Sequence, residues 1–180
     1  MRRVHTLGPA VTDSYAAAQT YNQAHWQGSA EIIGHPSFET LLTNLAQYPG
    51  DYLLIPAAFK SPQLQASWGD IHYALLDTLQ LQATFITPLA PLVVVQRLSA
   101  DNRVGYTHAA TAQLLARSVH GVTVQTAASK YQAYQLYQKN LAAYVLTNEK
   151  NVTLTADERI IKRLTPPMVW CLYQINEVLE

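Results

Sequence analysis

The sequence is poor in charged residues. Lys, Arg, Asp and Glu make up 13% of its 180 residues, and 12 basic residues balance 12 acidic ones. The usual charged fraction is about 25%. A nucleic-acid-binding domain normally concentrates a basic excess on one face, so we predict no nucleic-acid partner. A neutral chain has little colloidal repulsion, and this composition is therefore compatible with a homo-oligomer.

Cysteine and the common cofactor motifs are also scarce or missing. Cys171 is the single cysteine, so no disulfide can form within the chain, as is typical of a reducing compartment. The six histidines show neither HxH nor HExxH spacing, and we predict no metal site. The motifs GxSxG, GxGxxG and GxxxxGK[ST] do not occur. We therefore predict no cofactor.

Long apolar runs are missing as well. No apolar segment of the kind found in signal peptides follows Arg2 and Arg3. The longest apolar-rich run, Ile86–Val95, contains two prolines and is too short to cross a bilayer. We expect a soluble cytoplasmic protein without a membrane partner.

What the chain does contain is two successive blocks in which short apolar runs alternate with helical patterns. The first block has predicted strands at 3–7, 31–35 and 51–56, with helices at 12–27 and from residue 36 onward. The second has strands at 103–107, 122–124 and 142–147, with helices at 109–119 and 127–139. Residues 78–95 resemble two strands around a proline, residues 168–175 form a last strand, and residues 60–76 are ambiguous. This order predicts an α/β protein with helical crossovers between strands.

We therefore predict two lobes, each a small mixed sheet flanked by helices. Lobe 1 covers about residues 1–90 plus 165–180, and lobe 2 about 91–164. The default ligand site of such a layout is a cleft between the lobes.

Polar residues cluster where predicted strands end. Thr12 and Ser14 follow the Gly8-Pro9 corner, and Thr107-His108 and Thr147-Asn148 follow strands of the second block. Ligands of open α/β sheets bind beyond the carboxyl ends of strands, where helix N-termini favour anions. These corners therefore suit a small carboxylate. Each of these residues is also an ordinary helix cap by type, and Lys60, which we include as a candidate, has the alternative of a solvated surface lysine.

The segment Thr6–Ala17, TLGPAVTDSYAA, resembles the opening of prephenate dehydratase domains. Asp51–Pro56 matches the place of a conserved strand of that family, and Thr107-His108 the place of its Ser-His-Pro corner. The matching segments occur in the same order as in the family, along the whole length of the chain. It implies a two-lobed, type II periplasmic-binding-protein-like fold, without the ACT domain that dehydratases carry. The Thr-Arg-Phe motif of dehydratases is replaced by Met168-Val169-Trp170.

A second group within the same superfamily matches further. LTNE at Leu146–Glu149 is identical to a motif of the non-aromatising prephenate decarboxylases of the bacilysin type, and a Pro-Met-x-Trp core is retained at Pro167–Trp170. The resemblance implies a lyase of aromatic amino acid or antibiotic biosynthesis. Three positions depart from that group: Val11 replaces a glycine, Ala57 a histidine and Lys60 an aspartate.

The resemblance also implies roles for individual residues. His108 has an intrinsic pKa suited to proton transfer, and we predict it as the catalytic residue. The predicted substrate-binding residues are Thr12, Ser14, Phe59, Lys60, Thr107, Thr147, Asn148, Met168 and Trp170. Two alternatives stay open: a prephenate dehydratase, and a binding or sensing module that holds a small carboxylate without chemistry.

Overall fold

A computed structural model describes residues 1–176. The chain divides into two units. Unit 1 comprises Met1–Pro88 and residues 167–176, and unit 2 comprises Leu89–Pro166.

Unit 1 is built on a five-stranded mixed sheet. Its strands are β1 Arg3–Leu7, β2 Glu31–His35, β3 Tyr52–Pro56, β6 Leu79–Pro88 and β12 Pro167–Ile175, in the order β2-β1-β3-β12-β6. Its helices are α1 Asp13–Trp26, α2 Phe38–Thr43 and α3 Trp68–Ala74, and a small hairpin joins β4 Lys60–Ser61 to β5 Ala66–Ser67. The first three strands are parallel, and β12 runs antiparallel to both of its neighbours.

The core of unit 1 follows from the apolar pattern of its strands and of α2. Leu53, Leu54 and Ile55 of β3 are fully buried, as a continuous apolar run at the centre of a sheet predicts. Phe38 and Leu41 of α2 join Leu53 and Ile55 in one cluster on one face of the sheet. Burial of each such side chain contributes about 1.5–3 kcal/mol.

Unit 2 contains a second five-stranded mixed sheet. Its strands are β7 Leu92–Arg97, β8 Val104–His108, β9 Thr123–Ala127, β10 Tyr144–Asn148 and β11 Glu158–Leu164, in the order β11-β7-β10-β8-β9. Its helices are α4 Ala112–Ser118 and α5 Lys130–Lys139. Strands β8, β9 and β10 are parallel, whereas β7 runs antiparallel to β10 and β11.

A buried ion pair lies in the core of unit 2. The Arg97 guanidinium and the Tyr137 hydroxyl both donate to Glu158 Oε1, at 3.1 and 2.9 Å, and the backbone N–H of Thr155 donates to the other carboxylate oxygen. The guanidinium also stacks on the Tyr137 ring, 4.4 Å from its centroid. Although burial alone would raise the pKa of Glu158, these hydrogen bonds outweigh it and lower that pKa. Of the three tyrosines of α5, Tyr134 and Tyr137 are buried in this core, whereas Tyr131 is exposed.

The sequence-based prediction of elements differs from the structure at strand β11 and at the start of helix α5. Strand β11 was missed, because its charged residues and a bulge after Ile160 break the alternation that marks a strand. Helix α5 begins at Lys130 rather than Ala127, because the Ser129 hydroxyl caps it by accepting from Gln132 N–H at 3.0 Å. The ambiguous residues 60–76 form the β4–β5 hairpin and helix α3. Among residues 1–176, no helix is long and apolar enough to span a membrane.

Candidate functional site

The carboxyl end of β1 makes a tight corner into α1. Thr12 caps the helix: its hydroxyl accepts from the Tyr15 N–H at 3.2 Å and donates to the Leu7 carbonyl at 2.7 Å. The backbones of Gly8 and Gly34 touch at this corner, since a Cβ added to Gly34 would lie 2.9 Å from the Cα of Gly8. The Gly-Pro corner is therefore a place of close backbone approach, and Thr12 holds it to the strand.

Ser14, Phe59 and Trp170 lie inside unit 1 rather than on its surface. Ser14 is buried in the first turn of α1, and Phe59 packs edge-to-face against Phe38, with ring centroids 5.5 Å apart. Trp170 is 1% exposed, and its indole N–H donates to the Thr87 hydroxyl at 2.8 Å. All three side chains are thus buried and pack within unit 1.

Lys60 and Met168 are two further predicted site residues of unit 1, and both reach solvent. Met168 is half-buried at the start of β12, close to the carboxyl ends of the parallel strands. Lys60 is exposed and lines a cavity of about 280 Å³ in the hairpin region, together with Ser61, Gln65 and Asp70. Hydrogen bonds from Ser67 lower the pKa of Asp70, so this cavity carries a carboxylate as well as an ammonium group.

In unit 2, the carboxyl ends of the parallel neighbours β8 and β10 bring four predicted residues to one edge. Thr107 is fully buried: its hydroxyl donates to the Leu146 carbonyl at 3.0 Å and lies 2.7 Å from the Thr111 hydroxyl. His108 is half-buried and caps the 3₁₀ turn that follows, with its Nδ1 accepting from the Ala110 N–H at 3.3 Å. This contact favours the neutral tautomer that carries its proton on Nε2.

Thr147 and Asn148 follow on β10. The buried Thr147 hydroxyl donates to the Lys130 carbonyl at 2.8 Å and accepts from the Asn151 side chain at 3.0 Å. Asn148 is 7% exposed. The hydroxyls of Thr107 and Thr147 are thus engaged with the protein, and His108 is the most accessible of the four side chains.

A cluster that the sequence analysis missed lies in unit 1. His5 Nε2 is 3.0 Å from Asp51 Oδ2, and His5 Nδ1 is 2.8 Å from His35 Nε2. Arg3 Nε donates to the other oxygen of Asp51 at 3.1 Å, and the Tyr48 ring stacks on His5 with centroids 4.2 Å apart. His5 is 2% and Asp51 5% exposed. The sequence offers one signal for this cluster, an acidic residue directly before an apolar strand.

The direction of the hydrogen bonds in this cluster follows from the position of His5 between His35 and the Asp51 carboxylate. The Asp51 carboxylate accepts the Nε2 proton of His5, so in neutral His5 the Nδ1 atom accepts from His35. Burial, followed by the neighbouring His5, lowers the pKa of His35 and favours its neutral form. Among residues 1–176, no three His, Cys, Asp or Glu side chains are grouped to hold a metal ion.

Two other buried groups of unit 1 are poor acids. Burial, and then the electrostatic interaction with Cys171, raises the pKa of Tyr173 to about 12, and its hydroxyl lies 3.0 Å from His72 Nδ1. Burial also raises the pKa of Cys171, which makes its thiol a packing group rather than a nucleophile.

No family model matches the sequence, and no curated protein matches it. Solved structures do match. The chain aligns over 98% of its length, with a TM-score of 0.55 and 15% identity, to the prephenate dehydratase of Arthrobacter aurescens in complex with L-Phe, and spans 61% of that protein. The Staphylococcus aureus prephenate dehydratase aligns to all of this chain with a TM-score of 0.51 and 12% identity, over 67% of its own length.

A periplasmic domain matches equally well. The periplasmic VFT2 domain of Bordetella pertussis BvgS aligns over 97% of this chain and 80% of its own, with a TM-score of 0.58 and 18% identity. The chain shares the fold of these proteins. The predicted fold class, α/β and periplasmic-binding-protein-like, is confirmed, and at these identities the likeness concerns the fold alone.

Proposed function

We propose that the protein binds a small carboxylate and acts on it as a prephenate decarboxylase-like lyase. The observation that carries the proposal is the place of the matching motifs. TLGP, TH and LTNE all lie at the carboxyl ends of parallel strands, in a fold that prephenate dehydratases share. Carboxyl ends of parallel strands are where α/β sheets bind ligands.

His108 is the proposed proton donor. Decarboxylation of prephenate without loss of its hydroxyl needs a proton delivered to the ring diene as carbon dioxide leaves. The proton comes from the imidazolium form of His108, which becomes the neutral ring as it donates, and the Ala110 N–H contact to Nδ1 then stabilises that neutral form. Thr107 and Thr147 then have a positioning role, because their hydroxyls donate hydrogen bonds to backbone carbonyls of the same unit.

The test is incubation of the purified protein with prephenate and identification of the product by mass spectrometry. A decarboxylated product that keeps the ring hydroxyl supports the proposal, and phenylpyruvate would instead identify a dehydratase. His108→Ala should abolish turnover while the melting temperature stays within a few degrees of the parent. Prephenate left unchanged at high protein concentration would contradict the proposed reaction.

The second candidate is a module that binds a carboxylate without reaction. It is favoured by Ala57, which replaces a polar residue of the decarboxylase motif, and by the engaged hydroxyls of Thr107 and Thr147. A thermal-shift series with prephenate, phenylpyruvate and aromatic amino acids separates the two candidates. Stabilisation without turnover would select the binding module.

A further inference from the structure

Strand β6 is a long, uncharged strand at the edge of the unit 1 sheet. Its sequence from Leu79 to Pro88, LQLQATFITP, is ten residues long and contains no ionisable side chain. Within residues 1–176 it pairs with β12 on one side, and no strand pairs with its other side. A long uncharged edge exposes a row of backbone donors and acceptors that can pair with another strand.

The other edges of the two sheets differ from β6. Strand β2 has five residues and includes Glu31 and Gly34, and β9 also has five residues. Strand β11 has seven residues, of which Glu158, Arg159, Lys162 and Arg163 are charged, and a bulge interrupts it. Short length, charge and bulges are features by which proteins prevent pairing at an edge. Strand β6 is the longest of the four edge strands, and like the five-residue β9 it has no ionisable side chain.

The backbone geometry shows which part of β6 faces outward. Leu89 N–H donates to the Pro166 carbonyl at 3.0 Å, so that pair is hydrogen-bonded. In an antiparallel ladder, hydrogen-bonded and non-hydrogen-bonded pairs alternate. Phe85 therefore bonds toward β12, whereas the backbone groups of Thr84 and Ile86 point away from it. The bulge between Leu81 and Ala83 and the missing donor of Pro88 limit the regular outer edge to Ala83–Thr87.

Exposed apolar side chains lie beside this edge. Ile86 is 66% exposed and Val169, its register partner on β12, is 41% exposed, so the two form an apolar patch on one face. Phe85 lies on the opposite face and contacts Tyr21, with ring centroids 5.0 Å apart. The segment therefore presents a backbone edge flanked by apolar side chains.

We propose that β6 pairs antiparallel with β6 of a second copy of this chain, about a two-fold axis at Phe85. Thr84 exchanges backbone hydrogen bonds with Ile86 of the partner subunit, and Ile86 with the partner's Thr84. The two Phe85 rings face each other on the α1 side, and the Ile86–Val169 patches become neighbours on the other. The five-stranded sheet of unit 1 in one copy and its equivalent in the other copy then form one continuous sheet.

Charge favours a second copy as the occupant. Self-pairing places Thr, Phe and Ile against the same residue types, with no like charges opposed and no charge left without a partner. A regular edge of five residues is its own complement in antiparallel pairing, which is the requirement of a two-fold interface. Because the segment is short, we expect a weak dimer with a dissociation constant in the micromolar range.

The test is sedimentation velocity of the full chain from low micromolar to millimolar concentration. We expect a reversible monomer–dimer equilibrium. Ile86→Lys places like charges near the two-fold axis and should raise the dissociation constant at least about ten-fold, which corresponds to about 1.4 kcal/mol. Thr84→Pro removes an outward N–H that the fold itself does not use and should have the same effect. Ile161→Lys, on the already charged strand β11, is the matched control and should leave the equilibrium unchanged.

Hydrogen exchange supplies a second measurement. The amides of Thr84 and Ile86 should be protected at high concentration in the parent and lose that protection in the dilute protein. A parent that is monomeric at all concentrations overturns the proposal. So does a dimer that persists in both Ile86→Lys and Thr84→Pro, because its interface then lies elsewhere. Circular dichroism of each variant verifies that it is folded.

Discussion

His5 and Asp51, 46 residues apart in the chain, form a buried contact of 3.0 Å between Nε2 and Oδ2. The parallel pairing of β1 with β3 sets this distance, because His5 lies opposite Leu53 and Asp51 directly precedes β3. Arg3 adds a second donor to the same carboxylate. One acidic side chain thus joins two residues of β1 to the start of β3.

Asp51→Asn should therefore destabilise unit 1. The change removes the negative charge that holds Arg3 and His5 while it keeps the shape of the side chain. Loss of charged hydrogen bonds to a buried group costs about 2–3 kcal/mol. Urea unfolding measures the change, and Asp101→Asn at an exposed position is the control, expected to change stability by less than about 0.5 kcal/mol. Equal stabilities of the two variants would show that the cluster contributes nothing.

The lowered pKa of His35 predicts how stability depends on pH. The ring stays neutral in the folded state at a pH at which the unfolded chain, with a pKa of about 6.5, already binds a proton. The unfolded state thus binds more protons, and stability falls as the pH drops below about 6.5 and through the folded pKa. His5 contacts this ring directly and connects it to Asp51 and Arg3, and all three residues are kept in His35→Gln, which isolates the contribution of His35.

We therefore expect the melting temperature of His35→Gln to depend less on pH than that of the parent between pH 7.5 and 5. His120→Gln, at an exposed histidine, should keep the pH dependence of the parent. Identical slopes for the parent and His35→Gln would contradict the assignment.

The sequence predicted elements better than it predicted contacts between them. Runs such as Leu53–Ile55 and the stripe of Phe38 and Leu41 carry their own periodicity, and the structure confirms both as core. The cluster of His5, His35 and Asp51 depends on the register of three strands, which no local pattern encodes. The same limit applies to the predicted site: a hydroxyl at a strand end can serve a ligand or a carbonyl, and Thr107 and Thr147 serve carbonyls.

The buried ion pair of unit 2 predicts that substitution of its arginine lowers stability far more than substitution of an exposed arginine. Arg97→Met leaves the buried Glu158 carboxylate without its cation and should destabilise the protein by about 3–5 kcal/mol. Arg163→Met breaks an exposed pair with Glu149 of similar length, 2.9 Å, and should cost less than about 1 kcal/mol. Denaturant unfolding of the two variants checks this, and a loss of less than 1 kcal/mol for Arg97→Met would refute it.

Thr107 and His108 are adjacent, yet the structure predicts opposite effects for their substitution. Thr107→Val keeps the side-chain volume and leaves the Leu146 carbonyl without a donor, so it should lower stability by about 1–3 kcal/mol. Its affinity for a carboxylate ligand, measured by calorimetry below the melting temperature, should stay within about two-fold of the parent. His108→Ala should show the reverse, with small loss of stability and weakened binding or turnover. If Thr107→Val instead lost affinity at unchanged stability, its hydroxyl would belong to the ligand site.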